Sequence, residues 1–436
     1  MCSQSGTNRA EFFRLGREFI WVGLGQGAAA LGGLIGVRLL TGFLSPTTYG
    51  ELGLGMTFVT LIQSIFWGPI VSSALRYYSP ALEVKELSAF LKSLYTLSFQ
   101  LALGVFLIGL LLIVILPSIL HTGWSFLFLT ALMFSILDGF GAVLCSLQNA
   151  ARHRVVVALH QSLAQWLRFL FAVGIISSLG KSSLYAMVGY SLAAVVTLTL
   201  QLCLLNDKIF PIAKLFLPEQ DSNIVQWQKK IRNYAWPFAF WGVFLWVQQA
   251  SDRWSLQVFR STEEVGLYVA LYQLGYYPIQ MFIDTLIQLI TPVLFSKAGD
   301  GSDVSRMKHV GKLNLFLVFG ILFFTVGVAL FCSLFHKQIF ALLLDSRFHQ
   351  TSYLLPFAVC ASGIFAAGQA GVLTVLSKAN TRILIPPKVG TALVSILTNA
   401  LGAYLWGIKG IVGSSLFISM LYFVWIMAIS VKMMRN

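Results

Sequence analysis

The stretch Val247–Gln288 reads VQQASDRWSLQVFRSTEEVGLYVALYQLGYYPIQMFIDTLIQ. It belongs to two long apolar segments, from Ile231 to Lys297, joined by the short turn Phe259–Gly266. Each segment exceeds an ordinary core helix, and roughly 20 apolar residues span a bilayer. Yet both carry polar groups that a lipid-facing helix avoids. The first has Gln248, Gln249, Asp252 and Arg253; the second has Gln273, Tyr277, Gln280, Asp284 and Gln288. The second set recurs at offsets of four, three, four and four, so it forms one stripe on a helical face. Hydrocarbon offers such a stripe no hydrogen bonds, so it must face protein or a water-filled cavity. The hairpin is expected to wall a polar cavity inside a membrane protein.

Composition places the whole chain in that class. Hydrophobic residues make up 57% of 436 and charged residues 11%. Mean hydropathy is +0.79. Soluble domains carry about a quarter charged residues. The expected fold is an all-α polytopic membrane protein. Twelve spans fit: 19–43, 52–75, 89–117, 123–148, 154–178, 183–205, 232–258, 265–295, 310–335, 351–376, 383–406 and 408–431. The apolar run after the basic N-terminus is too long for a signal-peptide core, so it is read as the first span.

The formal charge of +14 does not indicate nucleic acid, because the basic residues sit in small groups between apolar runs. Lys181, Arg260, Lys337, Arg347 and Lys409 fall on one side of the alternating connections. Arg38, Arg168 and Arg253 lie inside spans, and the remaining Lys and Arg fall on the other side. The positive-inside rule then puts both termini in the cytoplasm. Five cysteines show no metal-ligand spacing, and neither a disulfide nor a metal is expected.

The connection 206–230, with Pro211, Pro218 and Lys229-Lys230, divides the spans six and six. It is read as a cytoplasmic linker between an N-terminal half, 1–205, and a C-terminal half, 231–436. The halves resemble each other faintly. Arg38 lies twelve residues before Gly50 in the turn Ser45-Pro-Thr-Thr-Tyr-Gly50-Glu-Leu-Gly53. Arg253 lies thirteen before Gly266 in Glu264-Val-Gly266-Leu-Tyr268. Internal repeats are common in transporters. The first span is rich in glycine, at Gly23, Gly25, Gly27, Gly32, Gly33 and Gly36. Close helix packing is the ordinary explanation, and bending during transport the sharper one.

Charges within spans are the functional candidates. At ~1.5 Å rise per residue, Arg38, Asp252 and Arg253 fall in the outer third of the membrane and Arg168 near its midplane. Gln161, Gln165 and Arg168 form a second stripe. Arg38 and Asp252 could equally neutralise each other. Asp138 and Asp284 fit either a structural hydrogen bond or cation coupling. The depths predict at least one arginine without a carboxylate partner, Arg168 foremost. Trp241, Trp246, Tyr272, Tyr276 and Tyr277 accompany the charges, as packing or as stacking surfaces for sugar rings; Trp236 and Trp254 suit the interfaces. There is no catalytic constellation and no phosphate-binding loop for ATP. No cofactor is expected. The short outer connections, the longest 336–350, argue against a membrane polymerase.

Arg38-Leu-Leu-Thr41, Leu44-Ser-Pro-Thr-Thr-Tyr-Gly50-Glu-Leu-Gly53 and Ala74-Leu-Arg-Tyr-Tyr78 resemble the N-terminal signature of Wzx-type polysaccharide flippases. Trp236-Pro237, Asp252-Arg253, Val265-Gly266-Leu-Tyr268 and Pro292 agree in the second half. The superfamily also holds the lipid II flippase and the MATE exporters. The resemblance implies two six-helix bundles around a central cavity that opens alternately to each side. The implied cargo is an oligosaccharide on undecaprenyl pyrophosphate. Arg38, Arg168 and Arg253 would meet the pyrophosphate, since a guanidinium fork pairs two phosphate oxygens. Gln248, Asp252, Gln273, Gln280, Trp241 and Tyr277 would line the cavity. The resemblance further implies an inner-membrane location, with membrane lipid and the polymerase or glycosyltransferases of the same pathway as partners. A cation-coupled MATE exporter of small molecules remains the alternative. It is disfavoured because many such exporters carry an acid within the first span, where this chain has Arg38.

Overall fold

The structure, a computed structural model, describes residues 4–115, 122–208, 221–298, 303–378 and 381–435. Among these residues every regular element is helical. α1 is Gln4–Phe43, α2 Pro46–Ile62, α3 Gly68–Glu83, α4 Leu87–Ile115, α5 Thr122–Ala150, α6 Arg154–Leu179 and α7 Ser183–Lys208. α8 is Asp221–Phe259, α9 Thr262–Gly275, α10 Tyr277–Ala298, α11 Val304–Leu343, α12 Leu355–Ser377, α13 Ile385–Trp406 and α14 Ile408–Arg435. Eleven described helical stretches are long and apolar enough to cross a membrane. α8, the expected seventh span, is not among them although it is 39 residues long. Gln248, Gln249, Asp252, Arg253 and Gln257 dilute its second half.

Two expected spans are interrupted. Between α2 and α3 the chain makes a π-helical turn, Gln63–Trp67, in which the Gly68 N–H reaches back five residues to the Gln63 carbonyl. Pro69 follows and has no N–H to continue the α-helical ladder. The segment expected as one helix over 265–295 breaks at Tyr276, between α9 and α10. Here Pro278 leaves the Leu274 carbonyl without its usual donor.

The chain packs as two compact units: Met1–Phe43 with Gly55–Trp246, and Leu44–Leu54 with Val247–Asn436. This does not follow the linear division into 1–205 and 231–436. Of the expected linker 206–230, residues 209–220 lie outside the described residues, and the rest of its C-terminal part is already α8. The first half of α8 is core of the first unit. Trp227 and Ile231 join Phe90, Leu94 and Tyr78 in one apolar cluster, and the Trp227 indole N–H donates to Glu86 at 2.9 Å. A Cβ on Gly242 would stand 2.2 Å from the Ser64 carbonyl oxygen.

In the first unit α1 lies along α6. Cβ atoms at Gly25, Gly32, Gly33 and Gly36 would meet Ala158, Trp166, Gln165 and Phe169 at 2.8, 3.0, 3.4 and 2.1 Å. Four of the six glycines therefore serve close helix packing. Gly23 and Gly27 meet nothing within 4 Å. The second stripe is part of the same seam: Gln26 donates to Gln161 at 3.3 Å and the Trp166 indole to the Ala28 carbonyl at 3.1 Å.

In the second unit α12 packs between α11 and α14, with α13 against α14 and α10 against α12. Its two helix starts, α2 and α9, are built alike. Ser45 accepts from the Thr48 N–H and Ser261 from the Glu264 N–H, each at 3.2 Å. These are N-caps three residues ahead of the donor. Five residues after each serine stands a glycine, Gly50 or Gly266. The two cross so closely that a Cβ on Gly50 would lie 2.1 Å from the Thr262 carbonyl oxygen, and one on Gly266 1.8 Å from that of Pro46. Three residues on, Gly53 meets Val269. The faint sequence repeat is thus a local pseudo-twofold contact, and it is what draws Leu44–Leu54 into the second unit.

Candidate functional site

In each unit an arginine inside a span sits in a prepared setting. In the first unit α5 and α6 bring Asp138 and Arg168 together, with Nη2 to Oδ1 at 3.4 Å. The Arg168 guanidinium lies over the Phe134 ring at 4.9 Å and near the Tyr190 ring at 5.6 Å. Rings suit a cation electrostatically through their negative faces. The second carboxylate oxygen of Asp138 accepts from the Gln63 amide at 3.1 Å, and that amide also reaches the Ser135 carbonyl at 3.3 Å. Gln63 is the first residue of the π-helical turn. Such turns often occur at functional sites. At its other end Trp67 packs where a Cβ on Gly139 would fall, beside the Phe140 ring at 5.0 Å. The turn and α5 fix each other next to Asp138.

In the second unit Asp252 is buried and accepts from the Tyr268 hydroxyl and the Arg253 N–H, both at 2.7 Å. Arg253 Nη1 donates to the Gln249 carbonyl at 2.9 Å and stands 3.9 Å from Asp252. Its guanidinium lies over the Tyr272 ring at 4.6 Å, and Tyr272 stacks on Tyr276 with centroids 4.6 Å apart. One turn further along, Gln280 donates to Asp284 at 3.0 Å.

These contacts correct one expectation. Arg168 is not without a carboxylate partner: α5 and α6 set Asp138 at its own depth. Asp252, weighed as a partner for Arg38, accepts from Tyr268 and from the Arg253 N–H within its own unit. Arg38 is exposed near the end of α1. Gln248, Gln273 and Trp241 are half-buried, and Tyr277 is exposed. The side chain of Gln288 lies outside the described residues. Trp246 is structural, its indole donating to the Thr57 carbonyl at 2.7 Å. Sequence reasoning missed Gln63, Phe134 and Tyr190. Gln63 had a signal, as a lone amide in an apolar span. Phe134 had none, being one of 35 phenylalanines.

A family model described as polysaccharide biosynthesis protein matches residues 15–298. No curated protein matches the chain. Among solved structures, an inward-facing multidrug resistance MATE family transporter of the MOP superfamily is 14% identical, with a TM-score of 0.73 over 94% of this chain and 96% of that one. The lipid II flippase MurJ in an inward closed conformation is also 14% identical, with a TM-score of 0.70 over 95% and 87%. At such identity the likeness concerns the fold. It bears out the all-helical, multi-pass architecture expected from the sequence.

Proposed function

The chain belongs to the polysaccharide biosynthesis protein family and has the fold of MOP-superfamily transporters, and on that premise we propose that it flips an undecaprenyl-pyrophosphate-linked oligosaccharide across the inner membrane by alternating access. The observation that carries this reading is the pair of arginine settings, Arg168 over Phe134 and Arg253 over Tyr272. Arginine within the bilayer is costly, by ~2.5 kcal/mol or more at the centre on insertion scales. A neighbouring carboxylate offsets that cost while the protein is empty. A pyrophosphate brings more negative charge and a matching fork geometry. It can therefore displace Asp138 or Asp252 as the partner of the guanidinium, with the aromatic ring holding the arginine in place. The stacked Tyr272 and Tyr276 and the amides Gln248, Gln273 and Gln280 suit the sugar portion. The similarity to a lipid II flippase agrees with a lipid-linked cargo.

In this reading the polypeptide forms and breaks no covalent bond; it moves its cargo. The rocking bodies are the two packing units, 1–43 with 55–246 and 44–54 with 247–436, and both termini face the cytoplasm. Asp138 and Asp284 are the sites for any coupling cation. Arg168→Ala and Arg253→Ala should each abolish surface polysaccharide with protein abundance unchanged. Wild-type polysaccharide in both would refute the proposal and favour a cation-coupled exporter.

A further inference from the structure

The α13–α14 hairpin carries a cavity of about 480 Å³ that the flipping site does not use. Thr398, Gly402 and Trp406 recur every four residues along α13, and Lys409, Gly413 and Phe417 do so along α14. Each set lines one helical face. At ~1.5 Å per residue the rows are about 12 Å long. The helices meet through glycine: a Cβ on Gly410 would lie 2.0 Å from the Gly402 carbonyl oxygen, and one on Gly402 2.7 Å from that of Gly410. Small residues at the crossing leave the large side chains Trp406 and Phe417 standing as walls, 66% and 53% exposed.

The two hydroxyls of the floor spend their protons within the hairpin. The Ser414 hydroxyl donates to the Thr398 carbonyl at 2.7 Å, and the Thr398 hydroxyl to that of Val394 at 2.9 Å. A hydrocarbon chain suits such a floor, lined also by Leu401, Trp406 and Phe417. The mouth is different. Lys409 lines it, with Nζ 5.6 Å from the Tyr353 ring. The nearby Arg260 is committed elsewhere, donating to the Ala403 and Tyr404 carbonyls at the end of α13 at 2.8 and 2.9 Å. Lys409 is also one of only five Lys or Arg on the sparsely charged side of the alternating connections. Trp406 beside it suits the headgroup level. An apolar trough with one cation at its interfacial end matches a single lipid: chain in the groove, phosphate on the lysine.

We propose that the α13–α14 groove binds one acyl chain of an anionic glycerophospholipid, with its headgroup phosphate on Lys409. A lysine at the surface is worth about a fivefold preference for an anionic lipid. The test uses the full chain in vesicles and Trp406 as its own reporter, isolated by subtracting Trp406→Phe. Phosphatidylglycerol with brominated acyl chains should quench Trp406 at about fivefold lower content than brominated phosphatidylcholine. Lys409→Gln should erase that preference. Gly413→Leu should abolish the quenching without lowering the melting temperature, because a Cβ at Gly413 meets nothing within 4 Å and leucine favours the helix over glycine. Equal quenching by the two lipids, or undiminished quenching in a folded Gly413→Leu protein, would overturn the proposal. So would displacement by an isoprenyl phosphate but not by unbrominated phosphatidylglycerol, which would give the groove to the cargo lipid.

Discussion

Gly50 and Gly266 hold equivalent places in two matching helix starts and touch backbone to backbone. A Cβ on Gly266 would stand 2.9 Å from the Gly50 nitrogen, and one on Gly50 2.8 Å from the Gly266 nitrogen. Both glycines lie inside helices, where alanine ordinarily stabilises by about 0.5–1 kcal/mol.

The close approach reverses that sign. Gly50→Ala and Gly266→Ala should each destabilise by roughly 1–3 kcal/mol, as overpacked sites do. Gly320→Ala and Gly327→Ala on α11, where a Cβ meets nothing within 4 Å, should be neutral or stabilising. Thermal unfolding in detergent makes the comparison. Equal behaviour of all four would remove the crossing as a structural joint.

Asp252 and Tyr268 form a buried bond of 2.7 Å. Tyr268→Phe leaves one carboxylate oxygen without that donor, at a cost of about 1–3 kcal/mol. Asp252→Asn in the Tyr268→Phe background should cost much less than in the wild type, and a double-mutant cycle reads the coupling. Additive losses would mean that the two groups act separately.

Asp138 is expected to hold Arg168 between cargoes, so its loss should not mimic the loss of Arg168. Arg168→Lys should restore polysaccharide export only in part, because it keeps the charge and loses the fork. The double variant Asp138→Ala/Arg168→Ala should remain inactive. Recovery of export in that double variant would show the pair to be structural alone.

Topology is tested at the C-terminus. A reporter fused after Asn436 should be active only in its cytoplasmic form. Activity confined to the periplasm would contradict the orientation and the span count behind it.

The polar stripe gives a labelling pattern. Single cysteines at Gln273, Gln280 and Asp284, in a background lacking native cysteine, should react with a small hydrophilic thiol reagent. Phe282, which stacks on Phe324 at 5.0 Å, should not. Equal protection at all four positions would remove the water-filled cavity.

Much of this was legible in the sequence, and for identifiable reasons. Hydropathy carries helix number, because each span must satisfy its own backbone in lipid. Its signal is weakest at α8, where the polar residues that make the site dilute it, yet the span expected over 232–258 is helical. Charges within spans are costly, so Arg168, Arg253, Asp138 and Asp252 stood out by rarity. Their partners did not. The Asp138–Arg168 contact joins residues 30 apart on neighbouring helices, and helix rotation is set by packing that no periodicity records. The π-helical turn at Gln63 depends on one hydrogen-bond shift before Pro69, which a sequence pattern leaves silent. The repeat around Gly50 and Gly266 was visible only as spacing; the shared serine caps and the contact itself emerged from three-dimensional packing.

The central claim is that an anionic, lipid-linked sugar is the cargo and that intramembrane arginine recognises it. Its direct test is translocation of undecaprenyl-pyrophosphate oligosaccharide in vesicles containing the purified chain, comparing wild type with an Arg38→Ala/Arg168→Ala/Arg253→Ala variant. The account predicts rapid translocation by the wild type and background rates in the triple variant, with neither transporting a cationic dye. Translocation at the wild-type rate by the triple variant, or dye transport driven by a cation gradient without any oligosaccharide movement, would contradict it.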